Sequence, residues 1–184
     1  MKNRNVIKID QVGRLVIPKE IRKMLGFNDK LVKIYVDDDK LIVKKYAPLA
    51  FCKKTVQKLC DKIAYLTGAV CFAGDESSIF AVSNSTLKDI VGKTLSSDFK
   101  KRVFADNPYL INASDGQKTI NITDDLIEYR SLCLLPVKDD FSCVSFFALL
   151  SFEEGKFGEM EIYKLKIARE LLLTVIEREN GGAE

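Results

Sequence analysis

The stretch DQVGRLVIPKEIRKMLG at residues 10–26 sets an arginine directly after Gly13 and an Arg22-Lys23 pair shortly after Pro18. Groups of this kind recognise anions. The planar fork of a guanidinium can address a guanine edge through two parallel hydrogen bonds, whereas an ammonium acts mainly as a point charge. Nucleophilic chemistry has poor material here. The chain has no histidine, which removes Ser-His-Asp and Cys-His catalysis and every His-containing metal site. Its five cysteines, Cys52, Cys60, Cys71, Cys133 and Cys143, are odd in number and show no C-x-x-C spacing, so neither a disulfide framework nor a zinc site is expected.

Charge is unevenly spread over the 184 residues. Residues 1–46 hold 12 Lys/Arg against 6 Asp/Glu, leaving 17 of the 29 basic and 20 of the 26 acidic residues to the rest. A basic head on a slightly acidic body suits an anionic partner, nucleic acid first, with a solvated charged face as the plain alternative. MKNRNVIKID lacks the apolar core of a signal peptide, and the longest nearly apolar run, SCVSFFALLSF at 142–152, is too short for a membrane-spanning helix. The expectation is a cytoplasmic protein without a membrane partner.

The elements that would position the basic residues are short. Residues 6–10 and 15–17 read as strands around a turn at Gly13. Pro18 biases Ile17 towards an extended backbone and opens a helix running to Leu25, which Gly26 stops. Ile21, Met24 and Leu25 share one helical face, with Arg22 and Lys23 off it. LVKIYV and LIVKKY around an acidic turn form a hairpin. The predicted head therefore has four short strands and one helix. About 46 residues are close to the size at which a domain needs outside help to fold. A second copy of the same segment is the simplest partner, which predicts an intertwined homodimer.

Ala47-Pro48 marks the expected boundary between a domain at 1–48 and one at 49–184. Leu49, Phe51, Cys52, Val56, Leu59, Cys60, Ile63 and Leu66 recur at helical spacing and Gly68 closes the run. Strands are predicted at 69–74 and 78–83, short helices in STLKDIVGKTLS and SDFKKRVFAD, strands in KTINIT, SLCLLPV and CVSFFALLSF, and a helix from about 158 to 179. That order predicts an α+β protein with an antiparallel sheet packed against its terminal helices.

The ordered string V-I-K-I-D-Q-V-G-R-L-V-I-P-K-E-I-R-K-M-L-G, ending in D-D-D-K-L-I-V-K-K-Y, resembles the AbrB-type swapped-hairpin DNA-binding domain. F-A-V-S-N-S-T-L-K-D-I-V-G-K-T-L-S and the closing helix resemble the GAF-like domain of one sporulation regulator in that family. The resemblance implies a dimeric β-barrel of swapped hairpins that contacts double-stranded DNA through Lys8, Arg14, Arg22 and Lys23. It further implies control of sporulation or transition-state genes. Relatives often carry two adjacent basic residues where this chain has Ile7-Lys8, and Arg4 is the candidate replacement.

GAF-type domains commonly bind small molecules, so the resemblance implies sensing or oligomerisation for the second domain without naming a ligand. Gly92-Lys93-Thr94 does not complete a phosphate loop, because Leu87 stands where that frame requires glycine; Gly92 is expected to end a helix. No cofactor is expected. The cysteines fall at apolar positions and are expected to pack in the core as inert thiols. Phe141, Phe146, Phe147 and Phe152 are expected in the core before a pocket. The amphipathic terminal helices could pair between copies, giving a tetramer. Two other readings compete with a regulator: an antitoxin-like DNA-binding protein, and a GAF-fold thiol enzyme.

Overall fold

The computed structural model describes residues 6–27, 31–46, 52–113, 118–138 and 144–181. Arg4, Leu49, Phe51, Phe141 and Cys143 lie outside the described residues. The chain divides into two compact units, Met1–Ala47 and Pro48–Glu184.

In the first unit, helix α1 (Lys19–Leu25) follows Pro18, whose ψ of 147° makes it the N-cap, so the helix begins one residue after the expected start at Pro18. Strands β1 (Val32–Asp37) and β2 (Lys40–Lys45) pair antiparallel with Asp37 opposite Lys40. The connecting turn places Asp38 at φ 53°, in the left-handed region that aspartate tolerates better than most residues. Register sorts the side chains by face. Ile34 lies opposite Val43 and Val36 opposite Leu41, which makes one face aliphatic, while the other carries Tyr35 with Lys44 over its ring. Ile34, Val36 and Leu41 are exposed in the single chain, Val36 to 73%.

Two expectations fail here for one physical reason. Residues 6–10 and 14–17 carry no regular secondary structure and form no strand ladder, and α1 buries no residue: Met24 and Leu25 are exposed, and Ile21 is half-buried. A strand exists only by pairing and an apolar helix face is buried only against something. One chain supplies neither.

The second unit is built on five strands in the order β4-β3-β7-β6-β5: β3 (Val70–Asp75), β4 (Ile79–Val82), β5 (Tyr109–Asn112), β6 (Ser131–Lys138) and β7 (Val144–Ser151). Every neighbouring pair is antiparallel. At the β3–β4 turn the Asp75 carboxylate accepts hydrogen bonds from the backbone N–H groups of Ser77 (2.8 Å) and Ser78 (2.9 Å). A β-bulge begins at Gly74, where an added Cβ would lie 2.2 Å from the Ser78 carbonyl oxygen, so only glycine fits.

Both faces of this sheet are covered, so its central strands read as unbroken apolar runs. On one face Cys71, Cys133, Leu135, Phe147 and Leu149 pack beneath α2 (Lys53–Thr67) and the closing helix, through Val56, Cys60, Leu165 and Leu172. On the other, Phe72, Leu134, Phe146 and Leu150 meet a 3-10 turn (Ser85–Ile90), α3 (Ser97–Val103) and the loops beyond it. The rings of Phe72, Phe99 and Phe146 contact one another there with centroids 5.2–6.0 Å apart. Phe146 and Phe147 are thus core residues, whereas Phe152 is exposed. The closing helix α4 (Glu159–Gly181) begins with half of a capping box: the Glu161 carboxylate accepts the Gly158 backbone N–H at 3.0 Å.

KTINIT is not a ladder strand. The Tyr129 hydroxyl both accepts from the Ile120 N–H (3.1 Å) and donates to its carbonyl (2.8 Å), while Ser96 binds the carbonyls of Asn121 and Ile122. Hydrogen bonds from outside any ladder thus satisfy the middle of this segment's backbone. The fifth strand is instead β5, at the sheet edge. Gly92, with φ 84°, follows the cap of the 3-10 turn at Val91 and donates its N–H to Ile79.

Candidate nucleic-acid interface

Arg14 stands on a turn that its own neighbours build. One oxygen of the Asp10 carboxylate accepts the backbone N–H groups of Val12 (3.0 Å) and Arg14 (2.8 Å), and the other accepts Arg14 Nε at 2.7 Å. Gly13, at φ 83°, donates its N–H to the Asp10 carbonyl, and Asp10 donates to the carbonyl of Arg14. The backbone and side-chain hydrogen bonds from Arg14 hold the Asp10 carboxyl below its ordinary pKa. Among the described residues only Nε of Arg14 is engaged, and the side chain is 75% exposed, which leaves the terminal nitrogens of the guanidinium accessible to an anion or a base edge. The sequence reading missed Asp10; the signal was an aspartate three residues before a glycine and four before the arginine, the pattern of an Asx turn.

Arg22 and Lys23 are oriented by the way α1 ends. Gly26, at φ 66°, donates to the Lys23 carbonyl (3.2 Å), and the Phe27 N–H reaches the Arg22 carbonyl (2.8 Å). This paired closure fixes the backbone at the two basic residues. Their placement in the last turn also suits the negative end of the helix dipole. Lys8 is exposed on the arm before the Asp10 turn. Among the described residues Lys8, Arg22 and Lys23 have no ion-pair partner, so their charges remain open to an external anion.

The four described thiols are core residues. Cys52, Cys60, Cys71 and Cys133 are buried and unbridged. Burial pushes Cys71 well above the usual thiol range, with a hydrogen bond to Cys60 adding to it. Burial, with a smaller contribution from Glu161, pushes Cys133 up to about 12. A thiol kept protonated and out of solvent is neither nucleophile nor metal ligand. Among the described residues no group of three potential metal ligands occurs, and no helix is long and apolar enough to cross a membrane.

A turn-mounted arginine and a capped basic helix stand in one unit of the chain, and an antiparallel sheet with its own core makes up the other. Residues 6–50 match the family described as "Antidote-toxin recognition MazE, bacterial antitoxin". The transition state regulatory protein AbrB of Bacillus subtilis (strain 168) is 38% identical over 88 residues, covering 46% of this chain and 92% of that protein. The chain belongs to the AbrB family. Stage V sporulation protein T of the same organism is 28% identical over 180 residues, covering 94% of this chain and 97% of that protein. The second unit has the GAF fold. It is similar to the GAF domain of an Acinetobacter phosphoenolpyruvate-protein phosphotransferase, with a TM-score of 0.58 at 14% identity over 72% of this chain and 86% of that one.

Proposed function

We propose that the protein regulates genes of sporulation or the transition to it, and that its DNA-binding unit is a swapped dimer whose two copies of Lys8, Arg14, Arg22 and Lys23 contact one duplex. The observation that carries this reading is the unfinished state of the head. Its arms lack strand partners, and Val6, Val16, Ile34, Val36 and Leu41 stand exposed in one chain. A second copy supplies both the missing ladder and the missing apolar face, and sets the basic residues out in two-fold pairs, the symmetry a palindromic site requires. The boundary near residue 48 follows as the place where the dimerising head hands over to the GAF-like unit. Arg4, four residues before Lys8 in the sequence, is the proposed addition to the contact set.

The GAF-like unit favours oligomerisation over sensing. Helix α4 buries Leu165, Ala168, Leu172 and Ile176 and exposes a second apolar row, Met160, Tyr163, Ile167 and Leu171. A helix apolar on two sides is built to be covered twice, which supports a tetramer assembled through α4. An antitoxin would use its C-terminal residues to wrap a toxin; here those residues form a five-stranded sheet with its own core.

Selection of bound genomic fragments tests the assignment, with Arg14→Ala as the decisive variant. Loss of a bidentate base contact is expected to weaken specific binding by about 1–3 kcal/mol per contact, with little change on unrelated sequence. Equal affinity of parent and variant for the selected site would remove Arg14 from the interface.

A further inference from the structure

Helix α2 carries lysines where helix physics disfavours them. Lys53 and Lys54 occupy its first turn, at the positive end of the dipole, with no acidic residue there to offset them and no basic residue in the last turn. Lys54, Lys58 and Lys62 then recur every fourth residue on one exposed face, the spacing at which like charges repel. Elsewhere in the same unit Lys93, Lys101, Lys138, Lys156 and Lys164 each meet a carboxylate, while Lys88, Lys100, Lys118 and Lys166 stand singly without an ion pair among the described residues. Lys54, Lys58 and Lys62 have no ion-pair partner among the described residues, and the helix's one acid, Asp61, accepts a hydrogen bond from Gln57 (2.8 Å). Tyr65, one turn further along, is 86% exposed and adds a hydroxyl of the kind that donates to phosphate oxygens.

We propose that this face of α2 is a second DNA-contacting surface, in which Lys54, Lys58 and Lys62 engage phosphates of the duplex that flanks the site held by the head. The inference rests on the head's being the primary DNA-binding unit. The lysines are about 6 Å apart in rise and span about 12 Å, roughly the axial length of three to four phosphates on one strand. Their partner is the backbone, since ammonium groups on a smooth helix face carry charge without a base-reading fork. The covalent connection favours DNA over other anions. Lys54 follows the end of β2 at Lys45 closely enough that an extended chain keeps the two within about 32 Å. Once the head is bound, the stripe therefore meets duplex at a high effective concentration.

The test compares salt dependence of binding by full-length protein on a duplex extending one helical turn beyond the selected site on each side. The variant is Lys54→Gln/Lys58→Gln/Lys62→Gln. The control, Lys138→Gln/Lys156→Gln/Lys164→Gln, removes the same charge from lysines already paired. The stripe variant is expected to lower the slope of log affinity against log salt by about 0.9 per lost contact, up to about 2.7 per chain. The ratio of specific to non-specific affinity stays unchanged, and thermal stability stays equal or rises as the repulsion is relieved. A slope equal to the parent's, or an equal fall in the control, overturns the proposal; the former is also the result if the stripe serves an acidic protein instead. Failure of the head reading is separate: Arg14→Ala would then keep its preference for the selected site.

Discussion

The two units of this chain treat apolar residues in opposite ways. The C-terminal sheet buries both faces, and its strands carry side chains such as Phe72, Phe146 and Leu149 with no exposed surface. The head has a hairpin with one aliphatic face and a helix with an apolar side, and it leaves both in solvent. Sequence composition does not distinguish these cases; closure does. A sheet of five strands with α2 and α4 on one side and α3 with its loops on the other completes itself, whereas a hairpin, two arms and a two-turn helix do not. The incomplete unit also carries Arg14, Arg22 and Lys23, so in the proposed dimer assembly and DNA contact are coupled.

Substitution can break that contrast. The largest effect is expected for Phe146→Ala, which removes a ring from the three-ring contact on the second sheet face and costs about 3–5 kcal/mol in urea unfolding of the C-terminal unit. Val36→Ser is expected to cost about 2 kcal/mol and to make the head dissociate on dilution, as followed by sedimentation, because the proposed dimer would bury a valine that one chain leaves exposed. If the head were complete as a single chain, the same change would stay within about 0.5 kcal/mol. The smallest effect concerns the Arg14 turn. Because the Asp10 pKa is lowered, the turn's hydrogen bonds persist above the ordinary carboxylate value of about 3.9 and are lost as pH falls through the lower, folded-state value. Amide resonances of Val12 and Arg14 should hold constant from neutral pH to about 5 and move only below about 4. A midpoint at the ordinary value would mean that Arg14 is not held.

Much of this could be read from the residues, for identifiable reasons. Gly26 and Gly68 stop helices as expected because each has a positive φ that few other residues adopt. The buried cysteines follow from their apolar neighbours. What resisted reading was extended backbone. Residues 118–123 show the alternation of a strand, with Ile122 buried, but Tyr129 and Ser96 supply their hydrogen bonds. Tyr109–Asn112 pairs with β6 while burying only Ile111, too little periodicity to register. At the candidate interface, the Gly-Arg and Arg-Lys pairs stood out by type. The carboxylate that orients Arg14 did not, because an aspartate near a turn has many uses.

The three-ring cluster on the second sheet face has a consequence for signalling. Phe72, Phe99 and Phe146 already occupy the space between the strands and α3. An effector entering there would not fill a waiting cavity; it would have to lever the rings apart first. Its arrival would be gated by breathing of the protein, and would show as slow, saturable association and as faster deuterium uptake along β3 and β7.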